Sequence, residues 1–297
     1  MLSQSAMEYL MTYGWTVLAI AIVMVSLYSL GIFSLGNLQP TATPGSCQVI
    51  RTTAQTSLAG QCNNLIPKYV GSFNGAHHSY VSVGNFSSTA AATMTVWIAP
   101  NGDYTYRQNV MCGGNSGGSD VSARYVLGVL NVGMCPDGSW YTIITSGGSE
   151  QKACSGQKYN STNFPAGKWV MLSITYDGSN VVFYKNGVVI NTLTQTVSGG
   201  NLTAQPYMIG RAGAYSGLYF NGSIADVQIY NASLDNTTVK ALYKEGIGGA
   251  PIDVGHLVAW WPLNGNANDY SGNNNQGTPT NVIWNANWQN GYSLPSS

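Results

Sequence analysis

The chain has 297 residues, only 7% of them charged, with 11 basic against 11 acidic side chains and a formal net charge of zero. That balance leaves no electrostatic footprint for nucleic acid or for an anionic membrane surface. Amides and hydroxyls must supply the solubility, which suits an exported surface protein.

In chain order, the first predicted element is an apolar helix. No Lys, Arg, Asp or Glu lies between Tyr9 and Ile50, and Glu8 sits at the edge of the run. A helix from Tyr9 to Phe33 would be about 37 Å long, slightly more than the apolar thickness of a bilayer. A secretory signal peptide would begin with basic residues and end in a small-residue cleavage site after a shorter apolar stretch, an order these residues do not follow.

The block from Gln4 to Leu10 (QSAMEYL), continued by Met11 to Val23 (MTYGWTVLAIAIV), resembles the N-terminus of archaeal type IV pilin-like precursors with class III signal peptides. The resemblance implies a leader of residues 1–3, cut by a prepilin peptidase between Ser3 and Gln4. It also implies a retained helix over residues 4–36 that anchors the subunit in the membrane and then packs into a filament. Glu8 would be neutralised by the new N-terminal amine of its own or a neighbouring subunit and so set the register of assembly. Leaders of that family carry Lys or Arg plus Gly before the cut, where this chain has Met1-Leu2-Ser3. A plain single-pass anchor is the other reading of the same apolar run.

Residues 37–46, rich in Pro, Thr and Gly, read as a linker to a head spanning 47–297. All five cysteines, Cys47, Cys62, Cys112, Cys135 and Cys154, follow the apolar run, without CxxC or zinc spacing. Disulfides are therefore expected, Cys47 with Cys62 first, while the connectivity of the other three stays open. Six Asn-X-Ser/Thr acceptors occur at Asn85, Asn160, Asn201, Asn221, Asn231 and Asn236, where sugars would solubilise a nearly uncharged surface.

Short strands are predicted at 79–83, 93–98, 125–130, 140–144, 168–176, 181–185, 188–192, 207–209 and 223–230, between Gly, Asn and Ser clusters. Asn186-Gly187 is a tight-turn signal between two of them. Only Leu234 to Glu245 has helical spacing, with Gly246 as its stop. The fold expected is mainly β, an antiparallel sandwich behind a long N-terminal helix.

The ordered motifs SFNG (Ser72–Gly75), SYVSV (Ser79–Val83), TVW (Thr95–Trp97), KW (Lys168–Trp169), ITYDG (Ile174–Gly178), FYKNG (Phe183–Gly187) and FNGSIADVQIYN (Phe220–Asn231) resemble a LamG-like jelly roll of the concanavalin A-like class. One piece is out of order: Leu257 to Gly277, with LVAWWPLNG, is similar to the opening strand and first loop of such a domain but comes last. Three arrangements follow: a circular permutation closed within the chain, a strand donated to a neighbouring subunit, or a truncated second repeat. A strand carrying Trp260, Trp261, Trp284 and Trp288 would expose much apolar surface if left alone, so closure within the chain is expected.

Glucanases of this class use paired Glu residues, whereas Glu8, Glu150 and Glu245 are the only three here and lie far apart. His77, His78 and His256 lack a nucleophile or zinc pattern, so no enzyme is expected. The resemblance further implies that Asp269, in the Asn- and Gly-rich loop that opens at Asn264, lies near Asp226; that loop reads either as a calcium site or as an Asx-turn loop satisfying its own backbone. Tyr104, Tyr106, Tyr141, Tyr215 and Tyr219 are candidates for a sugar-binding face. The function expected is a pilin-like structural or adhesive subunit of the cell surface. The alternative is a membrane-anchored lectin with a glycan ligand.

Overall fold

The computed structural model describes residues 4–29, 41–63, 65–86, 91–106, 108–113, 126–129, 135–146, 149–195, 205–212 and 218–295. The chain divides into two units, Met1–Pro40 and Thr41–Ser297.

The first unit contains α1, Gln4–Ser29. Its apolar residues do not form a stripe: Val17, Leu18, Ile20, Ile22, Val23, Met24 and Val25 are each at least half exposed, on every side of the helix. Side chains are described from Tyr13 to Leu27 and at Ser29, and within that stretch no helix is long and apolar enough to cross a membrane. The helix extension to residue 36 and the leader residue Ser3 lie outside the described residues, as does the side chain of Glu8.

The second unit begins earlier than the linker reading expects. β1 (Thr41–Ala42) already pairs in parallel with β4 (Ile66–Pro67), so the head starts at Thr41 instead of Cys47. Between them, β2 (Cys47–Arg51) and β3 (Thr56–Gly60) form a separate hairpin, closed by the Cys47–Cys62 disulfide.

Two sheets form the body. One runs in the order β14 (Val188–Thr194), β13 (Asn180–Lys185), β12 (Val170–Tyr176), β7 (Ala92–Pro100), β16 (Gly222–Tyr230), β5 (Val70–Phe73) and β19 (Ile283–Asn285). The other is ordered β11 (Ser149–Lys158), β10 (Ser139–Ser146), β9 (Val126–Val129), β8 (Gln108–Gly113), β15 (Gln205–Ile209), β6 (Tyr80–Phe86) and β18 (Thr278–Thr280). All pairings within these two sheets are antiparallel.

The facing sides of the sheets enclose a core that includes Val96, Ile98, Leu172, Phe183, Ile224 and Trp261. The outer side of the first sheet is buried as well. There Trp97, Met171, Tyr230 and Trp260 pack with Val239 and Leu242 of α2 (Asn236–Glu245) and with Trp288. Every residue of β7 and β12 is consequently buried, which hides the alternating pattern a two-layer sandwich would give. Thr93 sits in this second layer by satisfying its hydroxyl, which donates to the Ala232 carbonyl and accepts from the Leu234 N–H, both at 2.8 Å.

Local chemistry sets the turns. Asn186 (φ 52°) and Gly187 (φ 73°) both take positive φ between β13 and β14, as a type I′ turn requires. α2 starts later than Leu234 because Asp235 caps it, accepting the Thr238 N–H at 2.7 Å, and it stops at Gly246 with φ 78°.

The C-terminal segment closes the sandwich within its own chain. β17 (Leu257–Trp261) lies antiparallel to β16, with Trp261 opposite Val227 and Trp260 opposite Gln228. β18 and β19 then add an edge to each sheet, against β6 and β5. Burying Trp260, Trp261 and Trp288 removes roughly 200 Å² apiece from water, on the order of 5 kcal/mol each before ordering costs.

Candidate functional site

A cleft of about 940 Å³ opens where β5, β7, β16 and β19 end together. One side is the loop Ala166–Trp169 and the other the C-terminal run from Asn281 to Asn290. Glycines let these pieces meet. A side chain at Gly222 (φ 149°) would place its Cβ 2.3 Å from the Ala99 carbonyl oxygen, and one at Gly291 (φ 95°) would sit 2.0 Å from that of Gly167.

Two buried indoles fix the C-terminal side. The Trp169 Nε1–H donates to the Trp288 carbonyl at 3.1 Å, the rings stand edge to face at 5.7 Å, and the Trp288 Nε1–H donates to the Pro67 carbonyl at 3.1 Å. Asn281 (φ 52°) turns the chain from β18 into β19. Its Nδ2 donates to the His77 carbonyl at 2.8 Å, while its own carbonyl accepts the Ser79 hydroxyl at 2.7 Å.

Asparagine dominates the polar lining. Asn74, Asn101 and Asn285 each spend their side-chain oxygen on a backbone N–H two residues on. Asn287 and Asn290 are exposed, and their carboxamides have no hydrogen-bond partner among the described residues. Apolar surface comes from Ala99, Pro100, Ala166, Val282 and the 66% exposed Ile283. Among the described residues, no Lys, Arg, Asp or Glu lines the cleft. Such a surface offers paired donors and acceptors beside apolar patches, which matches an uncharged, hydroxyl-rich ligand. Among the described residues it holds no pair of carboxylates.

The residues suggested for calcium are engaged with protein. Asp226, at φ 48° in a bulge of β16, accepts the Trp260 Nε1–H at 2.8 Å and the Gln228 Nε2 at 2.9 Å, and burial pushes its carboxyl up to about 7. Asp269 accepts the backbone N–H groups of Trp260 (3.0 Å), Ser271 (2.8 Å) and Asn275 (2.8 Å) and the Ser271 hydroxyl (2.8 Å). The two aspartates thus serve the side chain and the backbone of one residue, Trp260. Asn264 accepts the Tyr69 N–H at 2.9 Å and donates to the Ala42 carbonyl at 3.0 Å, tying β17 to the start of the head. Among the described residues, no group of three His, Cys, Asp or Glu is placed to hold a metal.

Cys135 and Cys154 form a second disulfide, and Cys112 is buried beside it, outside both bridges. Of the glycan acceptors, Asn231 and Asn236 are exposed and Asn160 is half-buried. Asn221 is half-buried, accepting the Gly75 N–H at 2.6 Å and donating to Asp103 Oδ2 at 3.3 Å. Asn201 and the side chain of Asn85 lie outside the described residues. The tyrosines proposed as a sugar face do not converge. Tyr141 is fully buried, Tyr104 donates its hydroxyl to the Phe164 carbonyl, Tyr106 is 71% exposed, Tyr219 stacks on His78, and Tyr215 lies outside the described residues.

Sequence reasoning missed the cleft. Its signal was the asparagine run 281, 285, 287 and 290, interleaved with Trp284 and Trp288 and read only for its apolar members.

Residues 73–240, more than half of the chain, match the family described as the concanavalin A-like lectin/glucanases superfamily, and the chain belongs to that family. The match stops short of β17, β18 and β19, which nonetheless complete both sheets. Among solved structures, the chain is similar to a protein of Bacteroides ovatus ATCC 8483 assigned to carbohydrate binding, with 16% identity and a TM-score of 0.51, covering 80% of this chain and 65% of that one. It is also similar to a heptameric SAP-like pentraxin from Limulus polyphemus, with 13% identity, a TM-score of 0.45 and coverage of 62% and 83%. A third likeness is to domain 4 of an extracellular arabinanase from Geobacillus stearothermophilus, solved with arabinotriose, with 15% identity, a TM-score of 0.41 and coverage of 69% and 85%. At these identities the likeness shows the fold alone. No curated protein matches the chain.

Proposed function

We propose that the head is a lectin-like module that binds a neutral saccharide in the cleft between Ala166–Trp169 and Asn281–Asn290, without hydrolysing it. The observation that carries this reading is the uncharged, asparagine-lined cleft in which Asn287 and Asn290 keep their carboxamides for a ligand. Carboxamides can donate to one sugar hydroxyl while accepting from its neighbour, and Ile283 gives the C–H face of a ring an apolar surface to lie on. The Bacteroides ovatus protein of the same fold is assigned to carbohydrate binding, which is consistent with the reading. Titration calorimetry against a panel of neutral oligosaccharides tests it. At least one should bind, and Asn287→Ala with Asn290→Ala should weaken it tenfold or more, about 1.4 kcal/mol, at unchanged melting temperature. Absence of binding across the panel, or full affinity in the double variant, contradicts it.

The helix adds a second part to the proposal. A helix whose described stretch from Val17 to Val25 is apolar and exposed on every side has no polar face there to turn to solvent, and is suited to lipid or to identical helices. With the pilin-like block at Gln4 to Leu10, this supports an extracellular head tethered to the membrane or assembled into a filament through α1. Intact-mass analysis of native material should show loss of Met1 to Ser3, and sheared surface fractions should contain filaments. An uncut monomer released only by detergent would leave the lectin on a plain anchor. Exposed Asn231 and Asn236 are the acceptors best placed for solubilising glycans.

A further inference from the structure

A second cluster stands apart from the cleft. Arg211 follows β15, and its guanidinium lies 5.0 Å from the ring of Tyr80 and 5.6 Å from that of Tyr219. His78 stacks on the other ring partner, Tyr219, at 5.0 Å with the planes 26° apart. Backbone pairing builds the frame: the Phe220 N–H donates to the Gly210 carbonyl at 2.9 Å and the Ala212 N–H to that of Leu218 at 3.3 Å, so Arg211 and Tyr219 ride on adjacent extended segments. Between β5 and β6 the chain alternates its side chains. His77 and Ser79 line the cleft, whereas His78 and Tyr80 belong to the arginine cluster.

Arg211 has no carboxylate partner among the described residues, and its Nε–H is buried without an acceptor. Arg211 is half-buried as a residue, but an N–H cut off from water with no acceptor is costly, and such atoms are rare in folded proteins. The aromatic faces stabilise the positive charge but accept no conventional hydrogen bond from it. What the site lacks is an oxyanion that the planar guanidinium can hold through its Nε–H and a neighbouring N–H.

We infer that Arg211, between Tyr80 and Tyr219, is a second binding site for the carboxylate or sulfate of an acidic saccharide, distinct from the neutral cleft; that the anion is carried by a sugar rests on the lectin reading. The test is nitrogen-15 NMR of the arginine Nε–H resonances in the full-length protein, titrated separately with glucuronate, glucose 6-sulfate and glucose. The Arg211 Nε–H should shift with one or both acids, the responding arm identifying carboxylate or sulfate, and stay in place with glucose. Arg211→Lys, which keeps the charge but loses the Nε–H and the fork, should weaken acid binding at least tenfold by calorimetry. An Arg211 resonance unmoved by either acid, an equal shift with glucose, or wild-type affinity in the lysine variant overturns the inference. Acid binding at Arg211 with no neutral oligosaccharide in the cleft would leave this site standing and remove the neutral-ligand proposal.

Discussion

The indole Nε1–H of Trp260 donates to Asp226 Oδ1 at 2.8 Å across the seam where the out-of-order strand β17 joins β16. The bond extends into a chain, because Gln228 Nε2 donates to the same carboxyl at 2.9 Å and the Tyr230 hydroxyl donates to Gln228 Oε1 at 2.6 Å. A buried carboxyl is thereby placed at the joint on which closure of the sandwich depends.

Asp226 makes that joint sensitive to pH. Burial raises its carboxyl from 3.8 to about 7, so between those values the unfolded chain has released the proton while the folded chain holds it. The contribution of this group to stability is complete below about pH 4 and is lost as pH rises toward 7, by up to about 4 kcal/mol. Urea denaturation at a series of pH values should show this decline, and Asp226→Asn should flatten it. A decline of equal size in the asparagine variant would contradict the assignment.

Closure by β17 predicts an order of severity among the tryptophans. Trp261 is fully buried in the inter-sheet core, whereas Trp284 on edge strand β19 is only partly buried. Trp261→Ala should cost about 3–5 kcal/mol, and Trp284→Ala clearly less. Urea midpoints of the two variants check this. Equal costs would mean that the C-terminal strand is not integral to the core.

The Cys47–Cys62 bridge spans 15 residues of sequence around the β2–β3 hairpin. Replacing both cysteines with serine should remove about 3 kcal/mol in the chain-entropy account. The hairpin also holds the C-terminal loop, since Arg51 donates through Nε to the Ser271 carbonyl at 2.9 Å and through Nη2 to that of Leu257 at 2.8 Å. Hydrogen exchange should therefore rise at residues 257–273 as well as in the hairpin.

Calcium should be dispensable to the head. Asp269 already accepts four protein donors, and both oxygens of Asp226 accept from Gln228 or Trp260 while burial favours its protonated form, so neither offers an uncommitted carboxylate. Melting temperatures in calcium and in EDTA should agree within a degree. A large calcium-dependent rise would contradict this and reopen the loop at Asn264 as a metal site.

Much of the sandwich was legible because its strands sit between Gly, Asn and Ser clusters and because Asn186-Gly187 admits a single turn geometry. Among the strands missed, which include β1, β4, β5 and β8, several have a physical reason. β2 and β3 build a satellite hairpin outside the sandwich. β11 is a polar edge strand reading SEQKACSGQK, without apolar alternation. β18 and β19 are three residues each and exist only through pairing with β6 and β5. The cleft was illegible for a related reason: Asn287 and Asn290 line it only because β19 and the Trp169–Trp288 contact bring them beside Ala99 and Pro100. Asp226 and Asp269, paired by the family resemblance as cation ligands, instead each bond Trp260, the first through its indole N–H and the second through its backbone N–H.

The most direct test of the neutral-saccharide cleft is NMR mapping of the side-chain amide resonances of Asn287 and Asn290 during titration with the tightest neutral oligosaccharide. Both pairs should shift in proportion to occupancy, together with the backbone amides of Gly167 and Gly222. Saturable binding that leaves these four residues unmoved and shifts another face would contradict the assignment.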